Sequence, residues 1–325
     1  IERMLANLQT LLRAVAADPG IRLEDISLLD EAERRRVTET FNATTVDYGP
    51  DVCVHKLVEE QTAATPDAVA VEFGDDALSY FELNRRANIL AARLQELGAA
   101  PGTIIAISCE RSLELPVAAL AVLKSGACYV PVDPNYPAER IAAMLDDSGA
   151  LIALTQTGID LPAHNATVIE LENFTFDGAV QNPVSSVTPK DPLYCIYTSG
   201  STGVPKGVQL SHAGLGNLLR WQQKHDRLGK PAKTLQFASF SFDVSFQELF
   251  STWSTGGTVV MVDEELRQDL PRLATFIASR GIQRLYLPYA ALQPIAETLV
   301  STGAEPALQD IVVAGEALQV GPAVR

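Results

Sequence analysis

Apolar residues at Met4, Leu5, Leu8, Leu11, Leu12 and Val15 recur at helical spacing, so residues 1–17 are predicted as a helix that Asp18, Pro19 and Gly20 stop. Residues 18–50 carry no such stripe. A charged run at 30–36 and turn residues at Asn42, Gly49 and Pro50 mark them as a linker. From about residue 69 short β-branched runs alternate with helical segments. Ser79 and Glu82 have the spacing of a capping box; Leu83, Ala87, Leu90, Leu94 and Leu97 then form one helix face, and Gly98 ends it. The strand TIIAIS at 103–108, the apolar helix at 114–126, the strand at 128–132, the helix at 138–149 and the strand LIALT at 151–155 follow. Then come LYCIYT, a helix around 215–221, TLQFAS, a helix after Asp243, TVVMV, a helix at 270–279, RLYLP, a helix at 290–299 and DIVVAG. These strands are too apolar to face water on one side. The expected fold class is therefore α/β, with mainly parallel sheets flanked by helices.

A chain of 325 residues, 47% hydrophobic, is long enough for a sizeable core and one large α/β unit or two domains. Its net charge of −15 repels phosphate backbones and anionic lipid, which argues against nucleic-acid and membrane-surface binding. Cys53, Cys109, Cys128 and Cys195 stand far apart without a C-x-x-C pair and read as reduced core thiols. His55, His164, His212 and His225 lack ligand spacing and read as surface or cap residues, so no residue is assigned to a metal. No apolar run approaches the ~20 residues of a membrane helix and no signal peptide is evident, so a cytoplasmic location is expected. The chain starts without Met on a short amphipathic helix that needs something to pack on, as expected of a piece of a larger polypeptide.

The strongest chemical signal is YTSGSTGVPKGV at 197–208, read as a loop between the strand LYCI and a helix capped by Ser211 or His212. Thr198, Ser199, Ser201 and Thr202 supply hydroxyl donors. Gly200, Gly203 and Gly207 let backbone N–H groups turn inward, and Lys206 supplies the opposing charge, so polyphosphate is the natural guest. It is not a Walker A loop, because Lys206 follows Pro205 rather than Gly. Local reading of the next motif makes Ser245 and Glu248 a second capping box, with Asp243 merely preceding a helix.

Taken together, these motifs resemble those of the adenylate-forming enzymes, and within them the adenylation domains of nonribosomal peptide synthetases. The resemblance rests on LSYFELNRRAN at 78–88, LKSGACYVPVDPNYPAERI at 123–141, the loop at 197–208 and FSFDVSFQELF at 240–250, in the family's order. It implies residues 1–45 as the end of a condensation domain with its linker, and 46–325 as an incomplete N-terminal core of the adenylation domain. The implied reaction joins ATP and an amino acid into an aminoacyl adenylate with release of pyrophosphate. The acyl group then passes to a phosphopantetheine thiol on a downstream carrier domain, and Mg²⁺ bridges the phosphates.

Carried over residue by residue, the resemblance gives Lys206 and Thr198 catalytic roles. It assigns Thr198, Ser199, Gly200, Ser201, Thr202, Gly203, Lys206, Gly315 and Glu316 to nucleotide and phosphate binding. Asp243 becomes the partner of the substrate ammonium, partly desolvated among Phe240, Phe242 and Phe246. Val244, Gln247, Tyr286, Val312 and Ala314 complete the amino-acid pocket, whose composition resembles that of proline-activating members. A small MbtH-like partner is implied near Ala127, Pro137 and Ala138. The family's later motifs have no counterpart in this sequence, so the isolated chain is expected to be catalytically incomplete. The rival readings are an acyl- or aryl-CoA ligase, which has no ammonium for Asp243 to pair, and a non-catalytic docking module.

Overall fold

The computed structural model describes residues 1–178, 181–198 and 205–325. It divides into two compact units, Ile1–Gly49 and Pro50–Arg325. In the first unit the expected helix forms as α1 (Glu2–Ala17), with the apolar stripe at Met4, Leu5, Leu8, Leu12 and Val15 exposed. The stretch read as linker is more ordered than expected. Its charged run forms α2 (Glu31–Thr38), whose first turn is capped by the Asp30 side chain accepting from the Glu33 N–H at 2.8 Å. Acidic residues at its start and arginines at its end complement the helix dipole, which a search for apolar periodicity does not see.

The second unit begins with α3 (Val54–Ala64), the hairpin β1 (Val69–Phe73) and β2 (Asp76–Ser79), and α4 (Tyr80–Glu96). Next come β3 (Ile104–Ser108), α5 (Glu114–Ser125), β4 (Cys128–Pro131), α6 (Ala138–Ser148), β5 (Ile152–Thr155) and β6 (Thr167–Glu170). The hairpin β7 (Pro192–Thr198) and β8 (Lys206–Ser211) precedes α7 (His212–Lys224), β9 (Lys233–Gln236), α8 (Asp243–Trp253) and β10 (Thr258–Met261). The short α9 (Glu264–Gln268), α10 (Leu270–Ser279), β11 (Arg284–Leu287), α11 (Tyr289–Thr302) and β12 (Asp310–Val313) complete it.

Two six-stranded sheets result, with orders β12-β11-β9-β10-β1-β2 and β6-β5-β3-β4-β7-β8. Pairing is parallel except for one antiparallel strand at an edge of each sheet, β2 and β8. Strand alternation assigns the faces. Val259 and Met261 of the first sheet, and Ile105 and Ile107 of the second, enter one large core with α3, α4, α5 and α8. Val260, Leu235 and Leu285 point the other way onto α10 and α11, while Ala106, Val130 and Ala153 face α6. Each of these strands is thus covered on both faces, the condition under which near-continuous apolar runs are stable.

Several local expectations need correction. Ser79 caps α4 by accepting from the Glu82 N–H at 3.1 Å, but Glu82 does not reach back; its carboxylate binds Arg85 and Arg86. Ser211 precedes α7 without a side-chain cap bond. His55 and His212 are not surface residues: both are buried, their rings edge to face at 5.7 Å, and His212 Nδ1 accepts from the Val54 N–H. The sequence from Lys206 onward is strand rather than loop, because Tyr197 and Thr198 pair with Gly207 and Lys206. Ala127 is fully buried between α5 and β4, so it offers no surface to a partner, whereas Pro137 and Ala138 are exposed at the start of α6.

Candidate active site

The parallel strands β9, β11 and β12 all end at one edge, and the chain leaving them surrounds a cavity of about 760 Å³. Crevices beyond the carboxyl ends of parallel strands are where α/β sheets usually place ligands, because the departing loops and helix N-termini converge there. Asp243, Val244 and Gln247 reach the cavity from the first turns of α8, Tyr286 from β11, and Val312, Ala314, Gly315 and Glu316 from β12 and the turn after it. All six positions assigned to the amino-acid pocket therefore line one space.

Their environments differ. Tyr286 is buried, and its hydroxyl is fixed by Gln222 Nε2 donating at 3.0 Å and by Ser251 Oγ at 3.1 Å. It is strand core and cavity wall together. Asp243 is solvent-exposed, contrary to the desolvated setting expected. Its three phenylalanines do not enclose it: Phe242 is 63% exposed, Phe240 stacks on Tyr129, and only Phe246 is buried, against Tyr194 and Phe250. Glu316 Oε2 accepts from the Ala290 N–H at 2.9 Å, so this carboxylate serves the first turn of α11. Gly315 has φ +82°, a left-handed value that lets the chain turn away from β12.

Sequence reading missed part of the lining. Tyr194 and Leu210, paired across β7 and β8, and Leu215 and Leu218 of α7 form the opposite wall, while Phe237, Ala238 and Ser239 after β9 form another. Burial pushes the Tyr194 hydroxyl up to about 12, with the charge of Asp243 adding to the shift, so it stays neutral. Thr198 and Lys206 are exposed and do not line this cavity. They lie four positions further along the hairpin than Tyr194 and Leu210, about 13 Å at the usual strand rise. Ser199, Gly200, Ser201, Thr202 and Gly203 lie outside the described residues.

Ser245 and Glu248 are not a capping box. Helix α8 starts at Asp243, two residues earlier, and Ser245 Oγ donates to the Phe242 carbonyl at 2.6 Å. Glu248 is fully buried and accepts from the N–H groups of Phe237 at 2.9 Å and Ala238 at 3.0 Å.

Comparison with known proteins identifies the family. The model for "AMP-binding enzyme" matches residues 58–323. The chain belongs to the AMP-binding enzymes. Among curated relatives, a subunit of the linear gramicidin synthase of Brevibacillus parabrevis is 41% identical over 320 residues, 98% of this chain and 4% of that protein. Tyrocidine synthase 3 of the same organism is 40% identical over 321 residues, 98% of this chain and 5% of its own length. The chain thus spans a small part of each. Among solved structures, the nonribosomal peptide synthetase FmoA3 superposes with a TM-score of 0.84 at 28% identity, covering 98% of this chain and 34% of that one. The N-terminal subdomain of Klebsiella oxytoca NpsA, solved with 3-hydroxybenzoyl-AMSN, gives 0.73 at 30% identity, covering 85% and 69%. The family model is thus that of the AMP-binding enzymes, and the relatives named here are gramicidin and tyrocidine synthases and a nonribosomal peptide synthetase. Among the described residues no helix is long and apolar enough to cross a membrane, and no three His, Cys, Asp or Glu side chains cluster as a metal cage.

Proposed function

We propose that this chain activates an amino acid for nonribosomal peptide synthesis: ATP and the amino acid give an aminoacyl adenylate and pyrophosphate, and a phosphopantetheine thiol on a carrier domain then takes the acyl group. The convergence of Asp243, Val244, Gln247, Tyr286, Val312 and Ala314 on one cavity carries the reading. An upstream condensation domain and a downstream carrier domain in the same polypeptide are part of it, consistent with relatives far longer than this chain.

The amino-acid carboxylate must approach the α-phosphorus in line with the departing pyrophosphate, and most of the rate comes from holding that geometry and neutralising charge. In this reading Lys206 and Thr198, at the end of the β7–β8 hairpin, meet the phosphates, with residues 199–203 completing the phosphate loop. FmoA3 has been solved with AMPPNP bound, at 26% identity, which supports ATP as the nucleotide. Magnesium belongs to the nucleotide's phosphates and neutralises their charge when bound.

Asp243, exposed at the mouth, pairs the substrate ammonium. Val244, Val312, Ala314 and the tethered Tyr286 give the cavity an apolar wall against which a compact apolar side chain fits, although Arg267 and Glu316 also line the space. Proline or a cyclic analogue is the substrate we assign. Pro137 and Ala138 remain available to an MbtH-like protein. Amino-acid-dependent pyrophosphate exchange by the intact synthetase over a substrate panel tests the assignment. Preference for a charged or aromatic amino acid over proline would overturn the substrate. Exchange with benzoates but no amino acid would favour an aryl-acid ligase, the reading to which the 3-hydroxybenzoyl ligand of NpsA points.

A further inference from the structure

Strand β9 ends at Gln236, and the next two residues leave the sheet with peptide groups that no neighbouring strand pairs. Two buried ionic side chains meet those groups. Glu248, in the middle of α8, accepts from the N–H groups of Phe237 and Ala238 and from Gln236 Nε2 at 2.7 Å. Arg111, in the connection between β3 and α5, donates to the carbonyls of Gln236 at 2.9 Å, Phe237 at 2.9 Å and Ala238 at 2.8 Å. The Arg111 side chain is 8% exposed and Glu248 is fully buried, so each charge needs the bonds it makes.

We propose that Arg111 and Glu248 clamp the backbone of residues 236–238 and are positioning residues for the amino-acid pocket, so that losing either one shifts the wall formed by Phe237, Ala238 and Ser239. This deepens the adenylation reading and rests on it. Three observations carry it. The clamped segment lines the cavity through Phe237 and Ala238, whereas neither Arg111 nor Glu248 does. Glu248 follows Gln247 on the helix that also bears Asp243 and Val244, so the clamp fixes the register between that helix and the loop. Arg111 comes from the second sheet's connections, so the cavity wall of the first sheet is tied to the other. The two side chains have the chemistry for it, because a guanidinium spreads several donors in a rigid fork over adjacent carbonyls and a carboxylate accepts from two adjacent amides. A lysine in place of Arg111 keeps the charge but cannot span three carbonyls.

The test uses the intact synthetase with Arg111→Lys and Glu248→Gln. Since an ångström-scale misplacement costs up to ~100-fold in rate, we expect the amino-acid KM in pyrophosphate exchange to rise about tenfold, with the ATP KM within about twofold of wild type. Hydrogen exchange at the Phe237 and Ala238 amides, protected in the wild type, is expected to speed up in Glu248→Gln. A merely structural pair would lower the active fraction, and so kcat, while leaving both KM values alone; that outcome, or unchanged amide protection, overturns the proposal. If Arg111→Lys does not fold, Glu248→Gln, which is isosteric and neutral, decides alone. Failure of the adenylation reading looks different: the wild type then supports no exchange with any amino acid, which removes the positioning role, while amide protection still judges the clamp.

Discussion

Thr198 and Lys206 face each other as the last pair of the β7–β8 ladder, so both side chains stand at the root of the segment that joins the two strands. An antiparallel ladder holds such a pair to a fixed spacing, which gives the loop proposed to bind phosphate a rigid base. Replacing Lys206 by Ala is expected to lower pyrophosphate exchange in the intact synthetase by ~10²–10³ in kcat, the usual cost of removing one preorganised charge stabiliser. Lys206 is exposed, so the melting temperature should stay unchanged. Wild-type exchange in the variant would remove its assigned role.

Asp243→Ala is expected to abolish exchange with every amino acid while leaving the fold intact, because this carboxylate is exposed and its loss empties no core space. Equal activity toward proline in variant and wild type would show that the ammonium binds elsewhere.

Tyr286 calls for a gentler substitution. Tyr286→Ala would open a cavity costing ~3–5 kcal/mol and strand the Gln222 and Ser251 groups bonded to its hydroxyl, so altered selectivity would be confounded with unfolding. Tyr286→Phe removes only the hydroxyl. It is expected to cost ~1–2 kcal/mol by urea titration, and to loosen the choice among small apolar substrates through a ring no longer pinned from behind.

Acid should destabilise the folded chain in a defined window. His212 Nδ1 accepts from the Val54 N–H at 3.1 Å, so the neutral ring carries its proton on Nε2. Burial lowers its pKa to about 4 from an ordinary 6.5, with Asp191 opposing the shift. The folded state therefore binds this proton less readily than the unfolded one. The stability it contributes is full above about pH 6.5 and is lost as pH falls toward 4, at about 1.4 kcal/mol per pH unit. His55, held well below its usual value by burial and by His212, acts in the same direction. Urea midpoints measured between pH 7.5 and 4.5 check this. His212→Gln should flatten the slope, and an unchanged slope would assign it to other groups.

Gly257→Ala is expected to destabilise by ~1–3 kcal/mol, because a Cβ there would stand 2.3 Å from the Ala232 carbonyl oxygen where β10 closes against β9. Thermal melts of the two proteins compare directly, and a neutral result would mean that the strand entrance yields.

The alternation of strands and helices was legible because apolar runs bounded by glycines mark it; Gly98, Gly126 and Gly149 all adopt positive φ where the sequence places helix ends. Strand β8 was not legible. Val208 and Leu210 alternate with Gly207, Gln209 and Ser211, but the run is short and continues the Gly-, Ser- and Thr-rich stretch at 197–208, whose composition reads as loop. Helix α2 escaped because charge, rather than an apolar stripe, supports it. At the site, resemblance supplied the positions from Asp243 to Ala314, while Arg111 and Glu248 stayed hidden. Arg111 meets its carbonyls across 125 to 127 positions of chain, and Glu248 wore the spacing of a cap. Only the fold shows that its carboxylate turns inward.

Every residue of α5 from Leu115 to Ser125 is buried, so this helix has no side that water can wet. It packs with α3, α4, β3 and β4 in a core that is completed by Val259 and Met261 of β10, more than 130 positions later in the chain. During synthesis α3 and α4, which precede α5, can cover part of it at once, while the side of the core that Val259 and Met261 complete stays open until β10 has emerged and paired. The core closes late, and a nascent chain halted before β10 would leave exposed the apolar surface that Val259 and Met261 cover.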